Sequence, residues 1–546
     1  MAQAHQDPVE TGRYLADGWW GTDTLGAVVA RHAATQPGSF AFISGEDRMT
    51  WSEYDARADA LAAALVATGM MPGTRVAVIL PDGIAVHVAF LAAERAGFVV
   101  VGIGARAGDR EVRHLLRKTG ATALITHADH QGRAAAELLR RVTSDHIAID
   151  HHVVVPDEGQ DWSSIIVDGE PRATRDLDHA ALAGRAIGPD ELFLVNSTSG
   201  TTGLPKCVMH NQNRWFAFHR MAVAAGALVQ DDVFLSIVPA PFGFGLWTAH
   251  FTPTILGSTT VLLPRFNADD VIAVVDREHA TVLSCVSTQF IMLLNSPALV
   301  DHDVTSLRSM FTGGEAVPYE RAAEFEERTG AAVLQFYGSN ETGALSCTTL
   351  DDPRDLRLTT AGRTLDVMRV RLFDDAGNDV TATGRGQPGC RGPVTCFGYL
   401  DDDAANDELF TADGWMLCGD EVVIEDGVLR VIGRKSDVII RGGKNISAPA
   451  VEEEVDTHPS VALAAALAVP DPVFGERVCV VVQLVPGTSL SLEELVAHLE
   501  ARGVTREWFP EKLVVVDELP RSSGGKVAKG ELRARVERLV EGASVS

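Results

Sequence analysis

Apolar runs rich in β-branched residues alternate in this chain with Ala/Leu-rich stretches of helical periodicity, from residue 24 to about residue 430. The clearest runs and stretches are, in order, 75–80, 84–96, 98–101, 259–263, 268–279 and 332–336. Such alternation is typical of α/β proteins, whose sheets are covered by helices. We therefore predict an α/β fold, with a large N-terminal domain in which β-sheets are layered by helices.

The pattern changes near residue 436, after the polar and charged segment 433–437 (GRKSD). The rest of the chain has an alternation of its own, with strands and helices predicted at 462–469, 478–485, 491–502, 513–516 and 529–541. A chain of 546 residues is too long for one hydrophobic core. We predict two domains, 1–435 and 436–546, the second a small mobile α+β domain.

One segment of the large domain, 384–393 (GRGQPGCRGP), is rich in glycine and proline. Both residue types are uncommon inside strands. We predict that this segment is a connector that precedes a β-like region.

Charge and cysteine usage narrow the classes of function. The net charge is −27, which disfavours nucleic acid and anionic membranes as main partners. No signal or transit peptide is visible at the start, and the apolar stretch 86–103 is interrupted by Glu94 and Arg95, so no membrane span is predicted. The seven cysteines include no CxxC pair, which indicates free thiols and a cytoplasmic protein.

The segment 196–207 (NSTSGTTGLPKC) follows an apolar run, 192–195, that looks like a buried strand. Glycines, hydroxyl groups and Lys206 together suit a polyphosphate, because glycine lets backbone N–H groups approach an anion closely. The segment is not a Walker A loop, since Pro205 and Cys207 occupy the positions of its second glycine and its Ser/Thr. A flexible surface loop is the alternative interpretation.

Five further segments have the composition of functional loops: 311–318 (FTGGEAVP), 335–343 (QFYGSNETG), 413–420 (DGWMLCGD), 433–453 and 520–526 (PRSSGGK). Each also has an ordinary structural interpretation. Tyr337 suits a core aromatic, Asp420 a turn or cap, and Glu341 a helix N-terminus. Arg434 suits a surface ion pair, and Lys526 a solvated turn.

Taken together and in this order, the segments resemble the adenylate-forming superfamily of acyl-CoA synthetases, peptide-synthetase adenylation domains and luciferases. The resemblance extends from about residue 24 to residue 535 and is strongest to acyl-CoA ligases, which 61–83 (LAAALVATGMMPGTRVAVILPDG) also resembles. It implies an enzyme that joins a carboxylic acid to AMP and passes the acyl group to coenzyme A. The implied cofactors are ATP/AMP, Mg²⁺ and coenzyme A.

The resemblance also implies individual roles. Phosphates would be held by Thr198, Ser199, Gly200, Thr201, Thr202, Gly203 and Lys206, and Mg²⁺ by Glu341. Adenine would be lined by Gly314, Glu315 and Tyr337, and the ribose and phosphate contacted by Asp420 and Arg434. Lys526 would act in adenylation, Gly442 and Gly443 would line the thiol-transfer tunnel, and Ser436 would be the hinge between the domains.

The sequence departs from the family at several of these positions. Asn340 and Cys418 stand where threonine is usual, Cys207 replaces a glycine, and Ser436 replaces Asp or Lys. The segment 239–245 (PAPFGFG) lacks a histidine that is often present there, and the 384–393 connector is shorter than usual. Asn340 retains hydrogen-bonding capacity toward ATP. Because several departures lie around the predicted nucleotide site, one hypothesis is a divergent member that performs only one half-reaction, thioesterification of a supplied acyl-adenylate.

The acid is constrained by the residue that follows Phe242. Amino-acid-activating relatives have an aspartate there, and this chain has Gly243, which disfavours an amino acid. The predicted pocket walls are mostly apolar and comprise Trp215, Phe216, Phe242, Phe244, Trp247, 286–290 with Ser287, and Gly313. They suit an aryl, alicyclic, polycyclic or fatty acid. Core packing is the alternative for each aromatic.

The expected partners are a small carboxylic acid and coenzyme A. A stand-alone adenylating enzyme that loads a separate carrier protein is the alternative within the same fold. A homodimer is left open by the sequence.

Overall fold

The computed structural model describes residues 7–143, 147–198, 205–314, 317–434, 438–441, 444–471, 473–521 and 527–543. It confirms the α/β class and the distinct C-terminal region. The predicted 435/436 boundary lies outside the described residues, and the two-domain division stays a prediction.

The strands of the large N-terminal part are β1 Phe40–Ser44, β2 Asp47–Thr50, β3 Arg75–Val78, β4 Val99–Gly102, β5 Ala123–Thr126, β6 Asp129–His130, β7 Arg133–Ala134, β8 His151–Val154, β9 Ser164–Val167, β10 Glu170–Ala173, β11 Leu194–Ser197, β12 Cys207–His210, β13 Val233–Ser236, β14 Thr259–Leu262, β15 Val282–Ser284, β16 Ser309–Gly313, β17 Ala332–Ser339, β18 Gly343–Cys347, β19 Arg363–Thr364, β20 Val370–Phe373, β21 Arg385–Cys390, β22 Met416–Leu417, β23 Asp420–Glu425 and β24 Val428–Arg434. Those of the C-terminal part are β25 Val438–Arg441, β26 Lys444–Ser447, β27 Val461–Asp471, β28 Gly475–Leu484 and β29 Lys512–Val516.

The α-helices are α1 Pro8–Ala16, α2 Leu25–Thr35, α3 Trp51–Val66, α4 Ile84–Ala96, α5 Asp109–Thr119, α6 Ala135–Val142, α7 Gln212–Gly226, α8 Gly243–Gly245, α9 Thr252–Leu256, α10 Ala268–Glu278, α11 Ser287–Asn295, α12 Ala298–Asp301, α13 Tyr319–Thr329, α14 Arg354–Thr359, α15 Asp403–Leu409, α16 Ala448–Asp456, α17 Leu492–Ala501 and α18 Lys529–Ala543. A π-helix, Leu246–Phe251, joins α8 to α9. Among the described residues, no helix is both long and apolar enough to cross a membrane.

Two large sheets organise the N-terminal part. One has the strand order β2-β1-β14-β13-β15-β16-β17-β18-β19-β24-β23-β21-β20, with β22 beside β21. Its central strands β14, β13, β15, β16 and β17 run parallel. The other has the order β10-β9-β8-β5-β3-β4-β11-β12, in which β8, β5, β3, β4 and β11 are parallel. Parallel central strands with helical crossovers explain why these runs read as continuously apolar.

A smaller sheet forms the C-terminal part, in the order β26-β25-β28-β27 with β29 beside β28. Separate clusters of buried residues cover its two faces, one with α16 and α17 and the other with α18. The sheet thus has its own hydrophobic core.

Local sequence explains where the main helices begin and end. Thr50 and Glu53 form a capping box at the start of α3. Gly97, with φ of 80°, ends α4 in the left-handed region that favours glycine. Asn211 accepts a hydrogen bond from the backbone N–H of Arg214 and so caps α7. This last cap fixes the helix that carries Arg214 and Trp215 beside the candidate site.

The prediction of a connector at 384–393 is wrong for most of its length. Residues 385–390 form β21, which pairs with β20, β22 and β23. The glycines are needed because a side chain at Gly389 would lie 2.7 Å from the ring of Phe373. Pro388 still contributes its carbonyl, which accepts from the N–H of Cys418 at 3.0 Å. Tertiary pairing therefore overrides the local preference.

Candidate active site

The candidate site lies where the parallel strands of the largest sheet end. Strands β13, β15, β16 and β17 run in the same direction, so their carboxyl ends share one edge. The segments at these ends are 239–245, 285–287, 313–314 and 338–341, of which the last two include the final residues of β16 and β17. All of these contain residues that the sequence predicted for the site. Crevices at the carboxyl ends of parallel strands are the usual binding sites of such sheets.

The predicted phosphate loop connects β11 to β12, and its two ends are bonded to each other. The N–H of Thr198 donates to the carbonyl of Lys206 at 3.0 Å. The N–H of Lys206 donates to Oγ1 of Thr198 at 3.2 Å. The loop is therefore closed at its base like a hairpin. Ten predicted site residues lie outside the described residues: Ser199, Gly200, Thr201, Thr202, Gly203, Glu315, Ser436, Gly442, Gly443 and Lys526.

Glu341 and Lys206 are brought together by a tyrosine that the sequence did not indicate. The hydroxyl of Tyr399 donates to Oε1 of Glu341 at 2.7 Å. The ammonium of Lys206 lies 4.8 Å from the ring centroid of Tyr399, which is a cation–π contact. Lys206 also lies 3.7 Å from Oε2 of the exposed Glu408. Glu341 and Lys206, which are distant in the sequence, thus both contact the phenol of Tyr399.

The predicted nucleotide residues also meet. The hydroxyl of Tyr337, on β17, donates to Oδ2 of Asp420 at 2.9 Å. Asp420 begins β23 and pairs across the sheet with Arg434 on β24. Burial raises the pKa of Tyr337 well above its ordinary value, so its hydroxyl remains a donor at neutral pH. Gly314 follows β16 with φ of 77°.

Asn340 is part of a buried polar network. Its amide donates to Oδ1 of Asn196 at 2.7 Å, and the amide of Asn196 donates back to Oδ1 of Asn340 at 3.3 Å. Nε2 of His210 lies 2.7 Å from Oδ1 of Asn196. Nη1 of Arg214 lies 2.5 Å from Nδ1 of His210 and donates to the carbonyl of Asn340 at 3.0 Å. The network joins β11, β12, α7 and the β17–β18 turn.

Arg214 is a buried cation beneath this site. Its side chain is 1% exposed. Burial lowers the pKa of Arg214 to about 10, which leaves it charged at neutral pH, and Glu341 is among the groups that oppose the shift. Burial and the Arg214 charge lower the pKa of His210 well below its ordinary value. His210 is therefore neutral and accepts from Arg214 while it donates to Asn196.

The predicted acid-site residues fall into a buried group and a half-buried group. Trp215, Trp247 and Ser287 are buried, whereas Phe242, Phe244 and Gly313 are half-buried. Trp247, on the π-helix, is stacked on Phe244 with ring centroids 5.6 Å apart. It also contacts Phe218, Phe311 and Phe336. The aromatic cluster formed by these five residues, Phe218, Phe244, Trp247, Phe311 and Phe336, lies between α7, the π-helix, β16 and β17.

Trp215 packs differently from Trp247. Its ring lies 5.8 Å from that of Phe251 and is covered by the guanidinium of Arg214 at 4.7 Å. A side chain added at Gly243 would lie 3.5 Å from the ring of Trp215 and 2.7 Å from Oδ1 of Asn340. Gly243 is therefore the point where the segment 239–245 touches the polar network.

The cysteines near the site are unsuited to nucleophilic catalysis. All seven cysteines are free, as the sequence predicted. Burial raises the pKa of Cys418 to about 12 and that of Cys207 to about 12. A thiol of this kind carries almost no thiolate at neutral pH. Cys418 instead contacts Oγ1 of Thr342 at 3.7 Å.

Sequence reasoning missed Tyr399, Asn196, His210 and Arg214. One signal was available for Arg214, because the next residues on its face of α7, Ala217, Phe218 and Met221, are apolar. Tyr399 follows an apolar segment and carried no local signal. The segment 239–245 is also fixed by a residue that was not indicated, because Asp82 accepts the N–H of Ala240 at 2.7 Å.

Comparisons with known proteins show the family to which the chain belongs. The sequence profile described as AMP-binding enzyme matches residues 29–400, and that of the AMP-binding enzyme C-terminal domain matches residues 450–526. The chain belongs to the AMP-binding enzyme family. The predicted resemblance to adenylate-forming enzymes, strongest to acyl-CoA ligases, is confirmed, as is an ATP-dependent, AMP-forming ligase of the acyl-CoA synthetase type.

Particular relatives cover nearly the whole chain. This family member is 30% identical to the medium-chain fatty-acid–CoA ligase of Escherichia coli (strain K12), over 96% of this chain and 92% of the relative. It is 31% identical to the salicyl-AMP ligase / salicyl-S-ArCP synthetase of Mycobacterium tuberculosis (strain ATCC 25618 / H37Rv), over 94% and 91%. The crystal structure of the anthranilate CoA ligase AuaEII in complex with anthranoyl-AMP matches in fold, with a TM-score of 0.85, 22% identity and 95% and 98% coverage.

Proposed function

We propose that this AMP-binding family member joins an apolar carboxylic acid to AMP, releases pyrophosphate, and transfers the acyl group to the thiol of coenzyme A. One observation carries the proposal. Glu341, Tyr399 and Lys206 are in contact at the base of the Thr198–Lys206 loop. This contact supports the proposal, because it joins a carboxylate that we assign to a divalent cation, a lysine, and the closed base of the loop that we assign to the phosphates.

In the first step, a carboxylate oxygen of the acid forms a bond to the α-phosphorus of ATP. The bond from that phosphorus to the oxygen bridging to the β-phosphorus breaks, and pyrophosphate leaves with its electron pair. Negative charge accumulates on the leaving group, so fixed donors and cations lower the barrier. We assign Lys206 and the loop residues 198–203 to the β- and γ-phosphates. Lys526 is assigned, from the resemblance, to the reacting carboxylate and α-phosphate.

Glu341 fits a Mg²⁺ site of the kind that a nucleotide completes. Mg²⁺ prefers oxygen ligands and is often held by one or two carboxylates together with substrate phosphates and water. No cluster of three metal-ligating side chains occurs among the described residues. The hydroxyl of Tyr399 donates to Oε1 of Glu341. Within the described part of the chain, no hydrogen bond is made to Oε2 of Glu341. When bound, Mg²⁺ would neutralise charge on the triphosphate.

We assign the adenosine of the nucleotide to Tyr337 on β17 and to Asp420 on β23. Asp420 would accept the ribose hydroxyls, with Arg434 beside it across the strand pair. Tyr337 would present its ring to adenine while its hydroxyl orients Asp420. Gly314, Glu315 and Asn340 complete the predicted nucleotide set.

The acid is proposed to be aryl, alicyclic, polycyclic or fatty. The aromatic cluster supports an apolar substrate, because one of its members, Phe244, is half-buried and lies in the segment that follows β13. Gly243 leaves no carboxylate at the position that would hold an α-amine.

In the second step, the thiol of coenzyme A releases its proton and its sulfur bonds to the acyl carbon. The bond from that carbon to the phosphate oxygen breaks, and AMP leaves with the electron pair. We assign Gly442 and Gly443 to the thiol tunnel and Ser436 to the hinge of a mobile domain, 436–546. A carrier-protein thiol is the alternative acceptor, and the Mycobacterium relative named as a salicyl-S-ArCP synthetase supports keeping it.

Mass spectrometry of thioesters tests the proposal. A panel of apolar acids is supplied either free, with ATP and Mg²⁺, or as preformed acyl-adenylates, with coenzyme A or a carrier protein as acceptor. Coenzyme A thioester from a free acid supports the complete ligase. Thioester only from the adenylates would restrict the enzyme to the second half-reaction, and acylation of the carrier alone would replace coenzyme A as the acceptor.

A further inference from the structure

Tyr399 links two residues that the proposed function assigns to the metal and to the phosphates. Its hydroxyl donates to Oε1 of Glu341 at 2.7 Å, and its ring face is 4.8 Å from the ammonium of Lys206. Tyr399 and Glu341 are each 8% exposed. The phenol is thus placed between the carboxylate and the cation, and both contacts use it at once.

Tyr399 is itself held rigidly. Its N–H donates to Oδ1 of Asn406 at 2.8 Å, and Nδ2 of Asn406 donates to the carbonyl of Tyr399 at 2.9 Å. The neighbouring residues bond to β12, through Met209 N–H to Gly398 O at 3.0 Å and Leu400 N–H to Cys207 O at 2.8 Å. These bonds fix the position from which the phenol extends.

The same segment also holds the backbone of Glu341. The N–H of Cys396 donates to the carbonyl of Glu341 at 2.8 Å. Residues 396–399 therefore restrain Glu341 twice, once at its main chain and once at its carboxylate. A hydrogen bond to an ionised carboxylate is short and strong, and it fixes which oxygen faces away.

Lys206 depends on Tyr399 more than on its ion pair. Glu408 lies 3.7 Å away but is 81% exposed, and exposed pairs of this kind contribute little. The side chain of Lys206 is 39% exposed, so without the ring it would sample several rotamers. The ring face gives the ammonium a defined position beside the loop.

We propose that Tyr399 is a positioning residue that presents Glu341 to the divalent cation and Lys206 to the phosphates of the same nucleotide. The proposal rests on the proposed function. The phenol hydroxyl donates to the carboxylate of Glu341, so Tyr399 is not itself a base.

Two variants separate the two contacts. Tyr399→Phe removes the hydroxyl and keeps the ring, whereas Tyr399→Leu removes both. Tyr54→Phe is the matched control, since Tyr54 is buried on α3 and its hydroxyl donates to the backbone carbonyl of His87 at 3.2 Å. The full chain is used in each case, and thermal melting is recorded for all three variants.

Binding is measured without turnover. Mn²⁺ is titrated by electron paramagnetic resonance into enzyme with α,β-methylene-ATP, whose α–β bridge is not cleaved. We expect Tyr399→Phe to weaken Mn²⁺ binding about tenfold, the loss of one hydrogen bond to a charged group. Affinity for the analogue without metal should change less than about twofold, because the ring still holds Lys206. Tyr399→Leu should weaken both, and Tyr54→Phe neither.

Activity gives a second readout and separates this proposal from the proposed function. The Mg²⁺ concentration for half-maximal ATP–pyrophosphate exchange should rise about tenfold in Tyr399→Phe, in parallel with the Mn²⁺ result. Wild-type enzyme without exchange would overturn the proposed function. Wild-type exchange with unchanged metal dependence in Tyr399→Phe would overturn the role of Tyr399 alone.

A loss of folding is distinguished from a loss of positioning by rescue. If Tyr399→Phe melts lower than Tyr54→Phe, 3-fluorotyrosine is incorporated at position 399, which restores a hydroxyl on nearly the same ring. Recovery of wild-type Mn²⁺ affinity supports the proposal. Mn²⁺ affinity that remains low with the hydroxyl restored would overturn it.

Discussion

Asn196, on strand β11, and Asn340, which precedes Glu341, form a reciprocal amide pair with N–O distances of 2.7 and 3.3 Å. Asn196 uses both hydrogens and both lone pairs of its amide, since it also donates to Pro241 O at 2.9 Å and pairs with Nε2 of His210 at 2.7 Å. The pair therefore aligns the segments assigned to the phosphates and to the metal.

Asn196→Ala should disturb both segments. His210 and the carbonyl of Pro241 would each lose a buried partner, which costs roughly 2 to 4 kcal/mol in the free energy of unfolding. Asn340 would also lose its orientation, and ATP–pyrophosphate exchange should fall by more than thermal unfolding explains. Asn213→Ala is the control, because Asn213 is equally buried and bonds Gly21 at 2.9 Å instead. Equal exchange rates in the two variants would contradict the alignment role.

Gly243→Ala should displace the side chain of Asn340. The added methyl would lie 2.7 Å from Oδ1 of Asn340, whose amide is restrained by Asn196. Asn340 must then move, and we expect roughly a tenfold loss of kcat/KM for adenylation, about 1.4 kcal/mol, with little loss of stability. Gly108→Ala, where the methyl meets no atom within 4 Å, is the comparison. Unchanged kcat/KM in Gly243→Ala would show that Asn340 tolerates displacement.

Glu94 should make stability depend on pH. It is 2% exposed, and burial raises its pKa to about 7 from the usual 4.5, against a hydrogen bond from Gly26 N–H. As pH rises, Glu94 ionises near pH 4.5 in the unfolded chain but only near pH 7 in the folded protein. Stability that is fully present below pH 4.5 is therefore lost as pH rises to about 7. The loss is roughly 3 kcal/mol at most.

Thermal melting between pH 4.5 and 8 measures this effect. The melting temperature of Glu94→Gln relative to wild type should increase through that window and level off above pH 7. Glu500→Gln, at a position 59% exposed, should run parallel to wild type. A constant difference between Glu94→Gln and wild type would refute the assignment.

Arg502 should influence the balance of the two half-reactions. It joins the C-terminal part to the large one, with contacts of 2.8 Å to Glu320 on α13 and 3.2 Å to Glu454 on α16. Arg521, which precedes the segment that contains Lys526, contacts Met292 on α11 at 2.8 Å. The observed docking therefore brings Arg521 to the helix that begins at Ser287.

Arg502→Ala should slow adenylation relative to thioester formation from a supplied adenylate by about two- to fivefold, because exposed ion pairs contribute up to about 1 kcal/mol. Arg506→Ala is matched to it, since Arg506 pairs with Glu500 within the C-terminal part. The two half-reactions are assayed separately. The same ratio in both variants would mean that Arg502 has no part in docking.

Most elements of the fold were predictable because their signals are local. The helix predicted at 84–96 is α4 at the same bounds, and the strands predicted at 462–469 and 513–516 are β27 and β29 within two residues. The strand at 385–390 was not predictable, because its glycines and proline favour a loop until Phe373 and the neighbouring strands supply the pairing. Similarly, the segments of the site could be identified, but not the contacts among their side chains.

The sequence by itself determined the α/β class and the order of the elements, since periodicity acts over a few residues. Its resemblance to the family indicated the segments from which a nucleotide site would be built. Only the tertiary structure decided that Tyr399 joins Glu341 to Lys206, that Asn196 pairs with Asn340, and that Arg214 lies buried beneath them. Those contacts depend on the order of strands in two sheets, and sheet order follows from burial of the whole core rather than from any one segment.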